Sequence, residues 1–329
     1  MENFRAYRID QKDGNIVADF TSLTLDDLSD GEVVIKVTHS TINYKDALAA
    51  TGKGKILRKY PLVGGIDLAG TVVSSDDERF SEGDPVLVNG CGLSETRDGG
   101  YAEYARVDGD CVVPVPQGMT TFQAMQIGTA GFTAALAIHR MEQNSQTPSR
   151  GPIVVTGATG GVGSIAIDLL DAGGYEVVAV TGKAEQAAYL KSIGARRILL
   201  KAEIDPGTRP MEKAEWGGAI DTLGGELLAW LTRTVSYGGN IASIGLAASM
   251  ELETTVVPFI LRAVCLLGIN SVDTPRDLRL EVWKRLGSDL RPRHLDTIGS
   301  RTVSLDELPD CFQQYIDGTV TGRIIVQMG

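Results

Sequence analysis

Three stretches of the chain carry residue types that could do chemistry on a phosphorylated ligand. The first is Ile153-Val-Val-Thr-Gly-Ala-Thr-Gly-Gly-Val-Gly-Ser164. An apolar run meets a glycine-dense turn, and Val162, Ile165, Ala166, Leu169 and Leu170 then recur at helical spacing. Strand, glycine turn and helix is the local order that a dinucleotide pyrophosphate needs. Gly157 lets the chain leave the strand, and Gly160 and Gly161 clear side chains where phosphate must touch main chain. Thr159, Gly160, Gly161 and Val162 are therefore expected to hold the pyrophosphate at the helix N-terminus. The second stretch is Thr181-Gly182-Lys183, at the end of the next apolar run. A site for NAD usually places Asp or Glu there, on the ribose 2′-hydroxyl. A hydroxyl, an exposed N–H and a cation suit a 2′-phosphate instead, and Lys201 lies just past the following strand on the same edge. This favours NADP(H) over NAD(H). The competing readings are a tight turn without a ligand and two solvated lysines. The third stretch is Lys53-Gly-Lys-Ile-Leu-Arg-Lys59, with Lys53, Lys55, Arg58 and Lys59 as cations. It reads equally as a solvated loop or as an attractor for the phosphates of an anionic substrate.

Other chemistries find less support. Cys91, Cys111, Cys265 and Cys311 form no C-x-x-C pair and read as separate buried thiols. His39, His139 and His294 are too dispersed for a metal cluster, so no metal is expected. The net charge is −11, from 42 acids and 31 bases. That argues against nucleic acid and anionic membrane as general partners. No apolar run approaches the ~20 residues that cross a bilayer, and Met1-Glu-Asn-Phe-Arg-Ala-Tyr7 has no signal-peptide core. Cytoplasm is the default expectation.

The elements that must position these residues divide the 329-residue chain in two. Up to about residue 121 the pattern is one of short strands: Phe4–Ile9, Glu32–Thr38, Gly70–Val73, Pro85–Val88, Gly100–Val107 and Cys111–Val115. Such spacing suggests a compact barrel. Phe122–Arg140 then reads as a long helix. From Ile153 the chain alternates strand and helix, with strands expected at 153–156, 176–181, 197–200, 219–222, 240–244 and 264–268. Six strands alternating with helices imply a doubly wound parallel sheet. Leu246 and Ser271 follow the fifth and sixth of them, at the carboxyl edge where ligands bind such sheets. A polar helix, Pro275–Leu290, and a last strand, Arg323–Gln327, complete the chain. The expected domains are 1–121 with 272–329, and 122–271.

Asn43-Tyr-Lys-Asp46, Gly64-Gly-Ile-Asp-Leu-Ala-Gly70 and Gly128-Thr-Ala-Gly-Phe-Thr-Ala134 occur together with the glycine turn. In these the chain resembles the medium-chain dehydrogenase/reductase superfamily, from Tyr7 to Val326. More narrowly it resembles the zinc-free quinone oxidoreductase-like branch. Thr51-Gly-Lys-Gly-Lys-Ile56 and Thr255-Val-Val-Pro-Phe-Ile-Leu-Arg262 point within that branch to the NADPH-dependent acryloyl-CoA reductases. Gly65-Ile-Asp67 stands where zinc alcohol dehydrogenases carry Gly-His-Glu, so the ligand histidine is missing.

The resemblance implies a GroES-like β-barrel catalytic domain beside a Rossmann domain. It places Asn43 and Tyr44 in a cleft beside the nicotinamide. There Tyr44 could donate a proton or hydrogen-bond the cofactor or the thioester carbonyl, with Asn43 orienting it. Thr129 and Thr133 would face the nicotinamide ribose and amide, Ile260 would lie in a segment closing over the cofactor, and Arg323 would point back at the cleft. The implied activity is NADPH-dependent reduction of a short 2-enoyl-CoA, acryloyl-CoA to propionyl-CoA. The anionic substrate open to the Lys53–Lys59 run would then be this CoA thioester, through its phosphates. Without Zn²⁺, alcohol oxidation loses its means of polarising oxygen, whereas an activated C=C bond does not need one. A quinone or alkenal oxidoreductase and a non-catalytic NADPH-binding sensor stay open. The apolar run from Val256 to Asn270 either pairs with its copy in a homodimer, as the resemblance implies, or packs as a helix within the chain.

Overall fold

A computed structural model describes residues 3–329. Contacts divide the chain into two compact units: residues up to Thr129 with Ser271–Gly287 and Gly299–Gly329, and Ala130–Asn270 with Ser288–Ile298.

The first unit is built from antiparallel strands. They are β1 (Phe4–Lys12), β2 (Asn15–Leu23), β3 (Val33–Thr41), β4 (Leu62–Val63), β5 (Asp67–Ser75), β6 (Pro85–Asn89), β7 (Tyr104–Val107) and β8 (Val113–Pro114). One three-stranded sheet has the order β2-β1-β4. In the larger sheet β3 pairs with β5 and β7, and β5 with β6. Alternation explains the pairing: in β3, Val33, Ile35 and Val37 are buried while Lys36 faces solvent. These valines and isoleucine meet Leu68, Val86, Val88 and Tyr101 in one core. Helix α1 (Tyr44–Thr51) leaves the end of β3 and stops at Gly52, which takes the left-handed conformation. Of the expected strands, Gly100–Val107 is shorter: Gly99 and Gly100 lie against the backbone of Gly65 and Asp67, Ala102 makes only an isolated bridge to Ala6, and the strand begins at Tyr104.

Helix α2 (Thr121–Gln143) runs on from the first unit into the second and breaks at Gly128, whose φ of 51° is not helical. The second unit then holds β9 (Ile153–Val155), β10 (Val177–Thr181), β11 (Arg197–Leu200), β12 (Trp216–Asp221), β13 (Val235–Ser243) and β14 (Cys265–Gly268). Their spatial order is β11-β10-β9-β12-β13-β14, all in parallel. This is the doubly wound order of dinucleotide-binding sheets, with the reversal between β9 and β12. Helices α3 (Gly161–Ala172), α4 (Ala187–Ser192), α5 (Gly225–Thr234) and α6 (Val257–Leu261) connect the strands. The central strands are buried throughout, as parallel strands covered on both faces must be.

The tail departs from expectation. Helix α7 (Arg276–Leu286) belongs to the first unit, but residues 288–298, including α8 (Leu295–Ile298), pack with the second. The cause is polar. Asp168 of α3, only 1% exposed, accepts hydrogen bonds from the backbone N–H groups of Arg293 and His294, both at 2.9 Å. His294 Nδ1 sits 2.8 Å from its other oxygen. A buried carboxylate needs such donors, and no apolar pattern announces them. After Ser288–Ile298 the chain returns to the first unit through β15 (Arg301–Ser304), α9 (Leu308–Ile316) and β16 (Ile324–Gln327), which pairs with β3.

Candidate active site

In the first unit the polar residues gather around Asp67, at the start of β5. Its carboxylate is fully buried. It accepts the Thr129 backbone N–H at 2.9 Å, the Thr129 hydroxyl at 2.6 Å and the Asn43 amide Nδ2 at 2.8 Å. Arg323, 2% exposed, lies 3.9 Å away. Burial pushes the Asp67 carboxyl above its ordinary range, while Arg323 and the donors on Thr129 and Asn43 pull it back. Thr129 opens the second half of α2, so Asp67 is an N-cap supplied from a strand. Gly128 allows the approach. A Cβ there would lie 2.5 Å from Arg323 Nη2 and 3.0 Å from Asp67 Oδ2.

Asn43 bridges this cluster to α1. Its Nδ2 also donates to Asp46 at 3.0 Å, and its Oδ1 accepts from Arg323 Nη1 at 2.9 Å. Turning the amide over would set its oxygen against two carboxylates, so the orientation is determined. Asp46 accepts the Asn43 backbone N–H at 2.8 Å and the Ile66 N–H at 2.9 Å. Burial, reinforced by the charge of Asp67, raises the Asp46 carboxyl to about 6. Arg323 Nη2 completes the ring on the Thr41 hydroxyl at 2.8 Å. Tyr44, the first residue of α1, is 40% exposed. The buried ring thus holds the helix start from which the phenol projects.

In the second unit the glycine turn follows β9, at the reversal of strand order. Gly157 has φ 59°, and a Cβ would meet Thr222 Oγ1 at 2.2 Å. Gly163 lies so close to the turn that a Cβ would fall 2.5 Å from the Gly157 carbonyl. Gly160 is the N-cap of α3, and no side chain caps this helix. Its first N–H groups, from Gly161 and Val162 onward, have no partners within the helix and suit an anion. Behind the turn, Thr156 donates to the buried Asp221 at 2.7 Å and fixes β9 against β12.

Thr181 ends β10 directly opposite Leu200 of β11. Lys183 and Lys201 therefore follow neighbouring strands at the same edge. The Thr181 hydroxyl accepts the Lys183 backbone N–H at 3.0 Å, closing a tight turn with Gly182 exposed. Burial lowers the Lys183 ammonium pKa from its ordinary value, while Lys201 is exposed in a single 3₁₀ turn. No acid occupies the Thr181–Lys183 turn. The residues present fit an NADP(H) adenosine half.

A further cavity, of about 550 Å³, lies in the first unit and is lined by Lys45, Lys55, Ile56, Leu57, Arg58 and Glu95. Lys45 is ion-paired with Glu95, and the Arg58 backbone N–H donates to the Glu95 carbonyl at 2.8 Å. Lys55 and Arg58 are exposed, while Lys53 turns to Gln313 at 3.3 Å.

The fold therefore brings Asn43, Thr129 and Arg323 together around Asp67, and Thr159–Val162, Thr181–Lys183 and Lys201 to one sheet edge. It gives Arg323 a different place from the one expected. The guanidinium is buried, with Nη1 on Asn43 and Nη2 on Thr41 and near Asp67, while Nε has no partner. Leu246 and Ile260 are 63% and 70% exposed, and the Ser271 carbonyl receives Arg279 Nη2 at 3.4 Å. Lys59 is exposed and does not line the basic cavity. Sequence reasoning missed Asp67 and Asp46 as the centre of the site. The spacing of Asn43 and Asp46, that of a helix capping pair, was the available signal. Among the described residues no group of three or more His, Cys, Asp or Glu is placed to hold a metal ion, and no helix is long and apolar enough to cross a membrane.

Comparison with known proteins places this geometry. Residues 29–117 match the alcohol dehydrogenase GroES-like domain and residues 161–287 the zinc-binding dehydrogenase family. The chain is 47% identical to a putative quinone oxidoreductase, YhfP of Bacillus subtilis, over 99% of both proteins. It is 47% identical to a probable acrylyl-CoA reductase, AcuI of Escherichia coli, over 98% of this chain and 99% of that protein. The crystal structure of the yhdH oxidoreductase from Salmonella enterica in complex with NADP superposes with a TM-score of 0.95 at 46% identity, covering 99% of this chain and all of that one. The Bacillus subtilis yhfP structure, with NAD bound, gives 0.96 with the same coverage.

Proposed function

Because the chain belongs to the quinone oxidoreductase-like branch of the medium-chain dehydrogenases/reductases, we propose that it is an NADPH-dependent reductase of short 2-enoyl-CoA thioesters, converting acryloyl-CoA to propionyl-CoA. The observation that carries the substrate class is the cavity with Lys55 and Arg58 on its wall, in a protein of net charge −11. Local cations in an acidic protein suit an adenosine phosphate anchor. The acrylyl-CoA reductase name of a 47% identical relative supports the same reading. The acid-free Thr181-Gly182-Lys183 turn beside Lys201 supports NADP(H), although one close relative holds NAD.

When bound, NADPH supplies the hydride, which goes to the β-carbon of the enoyl group while a proton goes to the α-carbon. Thr159–Val162 hold the pyrophosphate, and Thr181, Gly182, Lys183 and Lys201 hold the 2′-phosphate. Tyr44 meets the substrate or the nicotinamide with its phenol. Asn43 and Arg323 act as positioning residues, because their polar groups are engaged with Asp46, Asp67 and Thr41.

We also infer a homodimer through the edge strand β14. Val256, Ile260, Leu261 and Leu266 are 67, 70, 62 and 38% exposed beside it, and such an edge invites a second copy. Sedimentation of Leu266→Arg as the same species as the native protein would sink that inference.

The activity test follows NADPH consumption with acryloyl-CoA, crotonyl-CoA and a benzoquinone side by side. Acryloyl-CoA is expected to turn over fastest. Faster turnover of the quinone would assign the rival oxidoreductase activity, and NADPH binding without any turnover would assign a sensor.

A further inference from the structure

Residues 201–215 join β11 to β12 without an α-helix, holding only the 3₁₀ turn Lys201–Glu203. In a doubly wound sheet such a crossover is ordinarily a helix that covers one face. Here a loop takes its place, and a cavity of about 580 Å³ opens beside it. The loop is pinned to the end of α5. Arg233 Nη1 donates to the carbonyls of Pro206 and Gly207, at 3.2 and 2.9 Å. The backbone N–H groups of Glu212 and Glu215 donate to the carbonyls of Arg233 and Thr234, at 3.0 and 2.9 Å.

Leu199, Ile204, Trp216 and Trp230 form the apolar wall of the cavity and pack in one cluster. The two indoles are 3% and 6% exposed and meet edge to face, with centroids 5.8 Å apart. Trp216 Nε1 is buried and has no hydrogen-bond partner. A buried donor without an acceptor costs free energy, which an acceptor seated in the cavity would recover.

The charges on the wall sort into pairs and a remainder. Arg209 is ion-paired with Glu212, and Lys213 with Glu215 at 3.7 Å. Arg197 sets its guanidinium over the Trp216 ring, 5.4 Å from the centroid. Among the described residues Arg197, Glu203 and Asp205 have no ion pair, although Asp205 Oδ1 accepts the Gly207 N–H at 2.9 Å. Both signs are therefore left uncompensated. A bare carboxylate would suit Arg197 and Trp216 but face two unpaired acids, and a bare ammonium would do the reverse. A zwitterion answers both.

Arg197 and Trp216 open β11 and β12, and Thr234 closes α5 just before β13. The cavity thus lies toward the amino edge of this parallel sheet. The glycine turn follows the carboxyl end of β9, and the cavity shares no residue with it.

We propose that this cavity binds a small zwitterionic amino acid with an apolar side chain. The carboxylate accepts from Trp216 Nε1 and pairs with Arg197. The ammonium turns toward Glu203 and Asp205, and the side chain lies on Leu199, Ile204 and Trp230.

The test titrates the full-length protein with leucine, methionine and phenylalanine by calorimetry, with and without NADP⁺. At least one of them is expected to bind with a Kd of about 1 mM or below, and NADP⁺ should change that value less than about twofold. Leucine or methionine should also shift the tryptophan emission, since two of the three tryptophans line the cavity. Trp216→Phe removes the indole donor, and Arg197→Gln removes an exposed cation. Each should weaken binding about tenfold. Isocaproate and isoamylamine, which lack the ammonium and the carboxylate of leucine, should each bind at least about tenfold more weakly than leucine. Failure of all three amino acids to bind at about 10 mM would overturn the proposal. So would displacement by NADP⁺, or undiminished affinity in the Arg197→Gln protein, whose surface change keeps the test valid if Trp216→Phe does not fold. Isocaproate binding as tightly as leucine would remove the ammonium subsite, and full affinity in a folded Trp216→Phe protein would remove the indole contact.

Discussion

Thr129 gives both of its donors to Asp67, the backbone N–H at 2.9 Å and the hydroxyl at 2.6 Å. This contact joins the start of β5 to the second half of α2, and it exists only because Gly128 carries no side chain. Gly128→Ala combines a left-handed φ of 51° with a Cβ 2.5 Å from Arg323 Nη2. A loss of at least about 3 kcal/mol is expected, from backbone strain plus a disturbed buried ion pair. Gly83→Ala, at φ 92° with open space around it, should cost roughly 1 kcal/mol. Urea denaturation of both variants checks the comparison, and equal losses would discount the cluster.

Asp46 makes stability depend on pH. Its folded-state pKa of about 6 lies above the ordinary value of 3.8. The unfolded carboxyl therefore ionises more readily than the folded one. Its contribution is fully present below about pH 4 and is lost as pH rises through about 6. The whole change is at most about 3 kcal/mol. Urea midpoints between pH 4 and 7 should show a falling component in the native protein that is absent from Asp46→Asn.

Lys183→Ala should lower kcat/KM for NADPH about 10- to 100-fold, the equivalent of the roughly 1.5–3 kcal/mol carried by a hydrogen bond to a charged group. The value for NADH should stay within about twofold. Steady-state kinetics with both cofactors decide it, and an equal fall for both would place Lys183 away from the 2′-phosphate.

Charge reversal at Lys55 and Arg58 should raise KM for acryloyl-CoA about tenfold at low ionic strength while leaving KM for NADPH unchanged. Both side chains are exposed, so added salt should shrink the effect. A KM that ignores both the substitution and the salt would remove the basic cavity from substrate binding.

Tyr44→Phe separates the roles open to the phenol. Loss of a proton donor should appear as a fall of about 100-fold in kcat. Loss of a hydrogen bond to the substrate should appear as a rise in its KM of roughly tenfold. A variant with neither change would show that Tyr44 does not act in the reaction.

Much of the second unit was legible in the sequence because its signals are local. The run Ile153–Val155, the glycines after it and the apolar spacing of α3 lie within one continuous stretch. The six-strand alternation then allows few topologies, since parallel crossovers have one hand. The missing acid after Thr181 could be read in the same way. The first unit gave up its short strands and its basic loop, because alternation and charge are also local properties.

The tertiary structure alone decided the rest, because those features depend on residues far apart in the chain. Asp67 in sequence is merely the residue after Ile66, which stands where the ligand histidine is missing. It becomes a centre when Thr129, Asn43 and Arg323 arrive from 62, 24 and 256 positions away. Arg323 reads as a cation open to a ligand until burial commits its guanidinium to Thr41, Asn43 and Asp67. Residues 288–298 read as a return to the first unit until Asp168 claims their backbone donors. In each case a buried charge must be satisfied by whatever the fold brings to it, and a one-dimensional pattern carries no record of which groups those are.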